Sequence, residues 1–387
     1  MLMNRRQFLR IAGTSAVIVA ASATGGAGFV LTRRPDEALK PWDLAGKAYS
    51  DTRVRALSYA ILAPNPHNQQ PWIVNLDHPG TATLYVDRTR LLPETDPFDR
   101  QITIGLGCFL ELLRQAAAED GATVETERFP QGIPGDRLDD RPVAAIHFPT
   151  GSATPDPLFA QVLDRRSVKA PFDPEHRPST SQADALVNAV DTAGIETIVS
   201  TESPQVATLR ELTWRAWQVE MSTPEAWSES IELLRIGKAE IEANPDGIDI
   251  RGAMPELLYR LGVFSKEDST NPDSTSYQRT LTKYEEIFSN TPAFVWLIGE
   301  ENDRLNQLSA GRAWLRLNMK ATELGLALHP VSQALQEYPQ MSGTYADLHD
   351  KLSVASPRRV QMLGRLGYGP VVPPSPRWPV EEKIRRT

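Results

Sequence analysis

The ten residues Ala63-Pro-Asn-Pro-His-Asn-Gln-Gln-Pro-Trp72 divide a helical stretch from a strand-like one, and their reading decides the fold. Upstream, 51–62 has the apolar spacing of a helix, with Val54, Leu57, Ile61 and Leu62 on one side. Pro64 and Pro66 stop it, because proline cannot continue the hydrogen-bond ladder. Downstream, 72–76 and 83–86 are strand-like runs around the turn His78-Pro79-Gly80. A loop broken twice by proline is stiff and leaves backbone donors and acceptors exposed. Asn68 and Gln70 add amides that both donate and accept, which suits the alternating edge of a pyrimidine-like ring. The plainer reading is that Pro71-Trp72 starts a strand with its ring in the core, while the amides close the turn.

Working outward, helices and short strands alternate. A buried-looking helix covers 104–118 and a strand 143–148, before Pro149-Thr-Gly-Ser-Ala-Thr-Pro155 reads as a linker. In the second half a helix ends in Asp164-Arg-Arg-Ser-Val-Lys169, another covers 181–193, and 196–199 is strand-like. A long helix carries Leu209, Leu212, Trp214 and Trp217. The polar, helix-rich stretch 222–289 has no strong strand signal and reads as an inserted lid. Residues 293–298, bounded by Pro292 and Gly299, form an apolar run that predicts a central strand. A helix over 313–324 stops at Gly325, and 360–368 gives one more strand. The pattern predicts an α+β fold, helices layered on a mixed sheet.

Composition narrows the function classes. The hydrophobic share of 41% is enough for a large core, and the net charge of −8 draws the protein to neither nucleic acid nor an anionic surface. The single cysteine, Cys108, excludes an intrachain disulfide and reads as a small buried hydrophobe. Six scattered histidines without a ligand-like spacing argue against a metal site. No Gly-x-Ser-x-Gly elbow, Ser-x-x-Lys or phosphate-binding Gly-x-x-x-x-Gly-Lys is present. Gly105-Leu-Gly107 lacks the third glycine of a dinucleotide fingerprint and reads as helix packing.

A second segment carries chemistry. Arg165-Arg166-Ser167-Val168-Lys169 offers guanidinium forks, a hydroxyl and an ammonium within one turn, a cradle for a phosphate and a polyol chain. Alternatively it is a solvated helix end whose charge complements the dipole. Taken together the two segments resemble the nitroreductase superfamily. Positions 63–72 match its Ala-Pro-Ser-x-x-Asn-x-Gln-Pro-Trp loop, with Asn65 in place of serine. Arg165, Ser167 and Lys169 match its Arg-x-Ser-x-Arg/Lys motif. Gly325-Leu-Ala-Leu-His-Pro-Val-Ser-Gln333 is similar to the family segment that approaches the flavin's reactive nitrogen. Pro376-Arg377-Trp-Pro379, after Gly367-Tyr-Gly-Pro370, is similar to the family's late phosphate-binding arginine, although Arg377 reads equally as a surface charge.

The resemblance implies FMN held by Pro64, Asn65, Pro66, Asn68, Gln70, Arg165, Arg166, Ser167, Lys169, Pro330, Val331, Ser332 and Arg377. It names no catalytic acid or base. It implies an oxidoreductase passing two electrons as a hydride to a small acceptor; the rival expectation is a protein that stores or senses FMN. The loop lies in the first half (41–150) and the cradle in the second (156–387), whereas Arg53 and Arg55 are only the shadow of a cradle. Two fused units forming an internal pseudo-dimer, monomeric with one composite site, are therefore expected.

The N-terminal 1–40 adds a location. Arg5-Arg6, followed by the uncharged stretch 11–31, resembles a twin-arginine export signal, implying the translocon as partner and a periplasmic or other extracytoplasmic destination. Ala21-Ser22-Ala23 has a signal-peptidase pattern, and the reading inclines to cleavage. Roughly 21 residues as a helix would nonetheless span ~31 Å, enough for a membrane anchor. Outside the cytoplasm a nicotinamide donor is not expected, so a redox partner would supply electrons.

Overall fold

The computed structural model describes residues 33–47 and 49–385; the export signal and most of the possible anchor lie outside them. The first half runs through α1 (Asp36–Leu44), α2 (Thr52–Ala60), β1 (Trp72–Asn75), β2 (Thr81–Val86), α3 (Arg100–Glu119), β3 (Glu125–Arg128) and β4 (Ala144–His147). After an irregular stretch come α4 (Thr180–Ala189), β5 (Ile195–Ser200) and α5 (Ser203–Ser222). Short pieces follow: α6 (Pro224–Glu232), β6 (Leu234–Ile236), α7 (Gly237–Ala243), β7 (Ile248–Ile250), α8 (Ala253–Arg260), α9 (Lys266–Thr270) and α10 (Thr275–Ser289). The chain closes with β8 (Ala293–Gly299), α11 (Arg304–Glu323), β9 (Ala327–Pro330), α12 (Ser342–Lys351), β10 (Arg359–Gly367) and β11 (Ile384–Arg385).

Local chemistry explains the main boundaries. The Asp51 carboxylate caps α2 by accepting from the Arg53 amide at 2.8 Å, and Asp303 caps α11 by accepting from Asn306 at 2.7 Å. Gly325, at φ +70°, ends α11 where the sequence places the stop. Strand β2 alternates half-buried and buried side chains, as expected when one face meets the core. Strand β8 is buried at every position, so it is covered on both faces.

Two sheets result, and they repeat one order. The first reads β11-β1-β2-β4-β3 and the second β5-β8-β10-β9. The neighbours β1-β2-β4-β3 are antiparallel, as are β5-β8-β10-β9, and each sheet's long helix (α3 or α11) lies between its second strand and its far edge strand in sequence. Strand β11, from the very end of the chain, joins the first sheet parallel to β1, with Val74 opposite Ile384. The architecture is α+β.

The two long helices pack backbone to backbone. A Cβ on Gly107 would stand 2.2 Å from the Leu308 carbonyl oxygen, and one on Gly311 2.0 Å from that of Ile104. Cys108 is buried there, its thiol donating to the Gly311 carbonyl at 3.1 Å, and burial pushes its pKa up to about 12. Each helix opens with a buried arginine that reaches into the opposite half. Arg100 donates to the carbonyls of Gln361 (2.7 Å) and Leu335 (2.6 Å); Arg304 donates to the Asp136 carbonyl (2.7 Å) and to Thr103 Oγ1 (3.2 Å).

Several elements depart from expectation. No α-helix leads into Arg165: only a 3-10 turn at Pro157–Gln161 forms, and 165–169 is irregular. Helix α11 begins nine residues before the expected 313, because its first turns are polar as well as buried. The 222–289 segment holds a small parallel sheet, β6 beside β7, that three-residue strands cannot announce in sequence. Strand β3 (Glu-Thr-Glu-Arg) is exposed throughout and has no apolar alternation to betray it.

Candidate functional site

The loop after α2 is where backbone conformation is least ordinary. His67, Asn68 and Gln70 all have positive φ (47°, 54° and 50°), a region costing roughly 1–2 kcal/mol for each side-chain-bearing residue. Something must hold the loop there. Arg377 does much of it: Nε donates to the Ile61 carbonyl (2.8 Å), Nη2 to those of Leu62 and Ala63 (both 3.1 Å), and Nη1 to Asn68 Oδ1 (2.6 Å). Asn65 closes the loop on itself, its Oδ1 accepting from the Gln70 amide at 2.8 Å. Gln70 is fully buried. Its Nε2 donates to the Pro245 carbonyl (2.7 Å), its Oε1 accepts from the Trp378 amide (2.9 Å), and its carbonyl accepts from Lys383 Nζ (3.0 Å).

These bonds correct three expectations. The amides of Asn68 and Gln70 are committed to the protein rather than open to a ring edge; Asn68 Nδ2 donates to the Pro376 carbonyl at 3.1 Å. Arg377 is neither a phosphate fork nor a loose surface charge, because its donors fasten the loop. Trp72 follows the plainer reading: it is buried, its ring 5.0 Å from that of Phe109. What remains available from the loop is its backbone, with Pro64, Asn65 and Pro66 half-buried on it.

The cradle lies against this loop. Arg165 Nη2 donates to the Leu62 carbonyl at 2.9 Å, and the Val168 amide to the Leu328 carbonyl at 2.9 Å. Residues 61–70, 165–169, 328–332 and 376–378 thereby meet, although Ile61 and Arg377 are 316 residues apart in sequence. Pro330, Val331 and Ser332 follow from β9, with Val331 tied to the Leu363 carbonyl at 2.9 Å. Arg166 lies over the Trp42 ring at 4.9 Å, and Arg377 over the same ring at 5.5 Å.

Electrostatics sets this place apart. Among the described residues Arg165, Arg166, Lys169 and Arg377 form no ion pair, while 25 such pairs occur elsewhere. Burial lowers the pKa of Arg165 to about 10 and that of Arg377 to about 9. Only one hydrogen bond from the Arg165 side chain reaches a protein acceptor. Lys169 is exposed at the edge of the cluster, and the surrounding protein lowers its pKa as well. His67 stands near Lys169: burial and then Lys169 hold its pKa at about 4, and among the described residues its Nδ1 has no partner. Buried cations without carboxylates are costly unless an anion completes them. Behind Arg377, a cavity of about 310 Å³ is lined by Glu37, Glu242, Glu381 and Glu382, and its acids make it a poor place for that anion.

Further groups stand near Lys169 and its neighbour Ala170. Arg365 donates to His329 Nδ1 (3.0 Å) and to Thr291 Oγ1 (2.6 Å) and lies over Phe172 at 4.2 Å. That contact leaves the His329 proton on Nε2, and burial lowers its pKa. Glu220 is buried, accepts from Gln336 Nε2 at 3.0 Å and from Ser230 Oγ at 3.1 Å, and has its pKa raised by burial. The inserted segment is fastened over the loop. Asp246 accepts from Arg90 (2.7 Å), Arg235 (2.9 Å) and Trp378 Nε1 (2.8 Å), and the Gly247 amide donates to the Asn68 carbonyl at 3.3 Å.

In the first half the corresponding arginines are used up. Arg53 pairs with Asp51 and donates to the carbonyls of Leu76, His78 and Thr81, while Arg55 pairs with Asp120. No anion is wanted there.

No family model matches the chain. Over 358 residues, 86% of this chain and 95% of the other, it is 27% identical to the Mycobacterium tuberculosis protein acg, whose name proposes an NAD(P)H nitroreductase. Among solved structures it is similar to a nitroreductase with bound FMN from Desulfitobacterium hafniense (13% identity, TM-score 0.36, 60% of this chain and 98% of that one). It is also similar to the FMN-dependent nitroreductase NfnB from Mycobacterium smegmatis in complex with NADPH (19% identity, TM-score 0.34, 58% and 94%). The likeness to acg along nearly the whole chain supports a place in the nitroreductase superfamily.

Proposed function

We propose that this chain is an exported, FMN-binding, nitroreductase-like oxidoreductase, built as two fused units with one composite flavin site. The observation that carries the reading is the unpaired cationic cluster of Arg165, Arg166 and Lys169 beside a strained loop. Its donor set suits a phosphate: the Arg165 side chain gives only one hydrogen bond to the described protein, Lys169 is an exposed point charge, and the half-buried Ser167 stands between them in sequence. Arg377, Asn65 and Gln70 fix the loop backbone, and Pro330, Val331 and Ser332 supply the backbone opposite. When bound, FMN supplies two-electron hydride chemistry for a small acceptor; the protein contributes position and charge. The repeated strand order and the reciprocal Arg100 and Arg304 contacts support the fused-unit reading. The twin-arginine start supports export, which makes a redox partner, rather than a nicotinamide, the electron donor.

The test is an absorbance spectrum of freshly purified protein, then anaerobic titration with dithionite and a nitroaromatic. A flavin spectrum that bleaches and returns with the acceptor is expected; a protein that stays colourless after reconstitution with FMN overturns the site. A second reading, FMN storage or sensing, is favoured by the Asp246 clamp, which closes the inserted segment onto the loop. Bound flavin that reduces but does not pass electrons to the acceptor would select it.

A further inference from the structure

Three of the most open large apolar side chains lie within ten residues of one another: Met254 (54% exposed), Leu261 (54%) and Val263 (58%). They stand on α8 and on the turn that ends it. That turn is built, not frayed: the Leu261, Gly262 and Val263 amides donate to the carbonyls of Leu257, Tyr259 and Leu258, and Gly262 takes φ +65° with nothing near its Cβ position. An apolar tip thus projects from the inserted segment, with Leu257 and Leu258 half-buried behind it.

A separate observation says what lies next to it. Glu256, buried in the same helix, accepts from Arg33 Nη1 at 2.9 Å, and it also pairs with Arg260 (2.6 Å) and caps the Lys238 amide (3.1 Å). The chain is therefore pinned to α8 at residue 33, immediately after the 21 uncharged residues 11–31. A span of that length matches the ~30 Å hydrocarbon core of a bilayer. Arg33, Arg34 and Arg260 then fall where a membrane span meets the headgroups, a setting that suits long basic side chains.

We infer that α8 and the 261–263 turn rest on a phospholipid bilayer, beside 11–31 retained as the anchor. The inference takes the uncleaved chain, against the inclination toward cleavage at Ala23, so that 11–31 leads directly into the pinned Arg33. Met254, Leu261 and Val263 enter the interfacial layer, as the apolar face of an amphipathic helix does. The inference does not depend on the flavin site.

The experiment labels full-length Val263→Cys with an environment-sensitive dye; Cys108 is buried, so the new thiol takes the label. Ile133→Cys, in the first half at 49% exposure, is the control. Both are reconstituted into phosphatidylcholine vesicles with and without nitroxide-bearing lipid. The expected result is a several-fold loss of emission by the nitroxide lipid at 263, with protection from aqueous iodide, and the reverse at 133. Iodide quenching at 263 overturns the inference by leaving the tip in water. Protection from both quenchers also overturns it, since a protein surface would then cover the tip. A chain that begins after Ala23 and stays in the supernatant does the same.

Discussion

The two halves share a framework and differ in what they leave unpaired. Each has four antiparallel strands in one order, with β11 added to the first sheet, and a twenty-residue helix that starts at a buried arginine and carries a contact glycine seven residues on (Gly107, Gly311). In the first half, Arg53 and Arg55 are neutralised by Asp51, Asp120 and turn carbonyls. In the second, Arg165, Arg166 and Lys169 form no ion pair among the described residues, and the strained loop of the first half is brought against them. Shared architecture is thus no guide to a shared site: partnering of charge distinguishes the two cradles.

The shared framework breaks most readily at the helix contact. Gly311→Val places atoms where the Ile104 carbonyl and the Cys108 amide already stand, so a loss above about 3 kcal/mol is expected in urea unfolding. Gly343→Ala, with open space at its Cβ position, should change stability by less than about 1 kcal/mol. Comparable effects at the two glycines would mean that the helices do not meet as closely as described.

The difference between the cradles is sharpened by paired variants. Arg165→Ala with Lys169→Ala should weaken FMN binding by about 3–6 kcal/mol, two to four decades in Kd, at ~1.5–3 kcal/mol per charge-assisted bond. Arg53→Ala with Arg55→Ala should leave Kd within about threefold, although it costs stability. The folded-state pKa of Arg165 lies below its unfolded value, so its charge opposes folding at neutral pH. Arg165→Met should therefore leave the flavin-free protein at least as stable by thermal melting while weakening FMN.

The clamp over the loop is a smaller contrast. Asp246→Ala removes the acceptor that Arg90, Arg235 and Trp378 share and should cost about 2–3 kcal/mol. Faster limited proteolysis within 244–250, with 149–155 unchanged, would locate the loss.

The smallest effect is one of pH. His67 has its pKa lowered from 6.5 to about 4, so the unfolded chain takes up the proton first as acid is added. Its contribution to stability is complete above pH 6.5 and drains toward pH 4, at up to ~1.4 kcal/mol per unit. His67→Gln should flatten that part of the melting profile. FMN should flatten it too, because a phosphate beside Lys169 favours the charged imidazole.

Much of the fold was legible where a residue acts through its neighbours in sequence. The prolines at 64 and 66 end α2, Gly325 ends α11, and the unbroken apolar run at β8 gives a central strand. The candidate cradle reads as a motif as well, because its charges fall within five residues, Arg165 to Lys169. Strands β3, β6, β7 and β11 were not, being too short or too polar to carry a period. Nor were Trp42, Arg365 and Asp246, which stand alone in sequence and acquire a setting only from segments far away.

By itself the sequence determined the α+β class, the positions of the two candidate segments and the acidic, single-cysteine character that excludes other chemistries. Only the tertiary structure decided that the amides of Asn68 and Gln70 and the guanidinium of Arg377 brace the loop instead of facing a ligand. The physical reason is that a polar side chain's role depends on which buried carbonyls and amides compete for it, and those competitors come from Pro245, Pro376 and Ile61–Ala63, brought together only on folding.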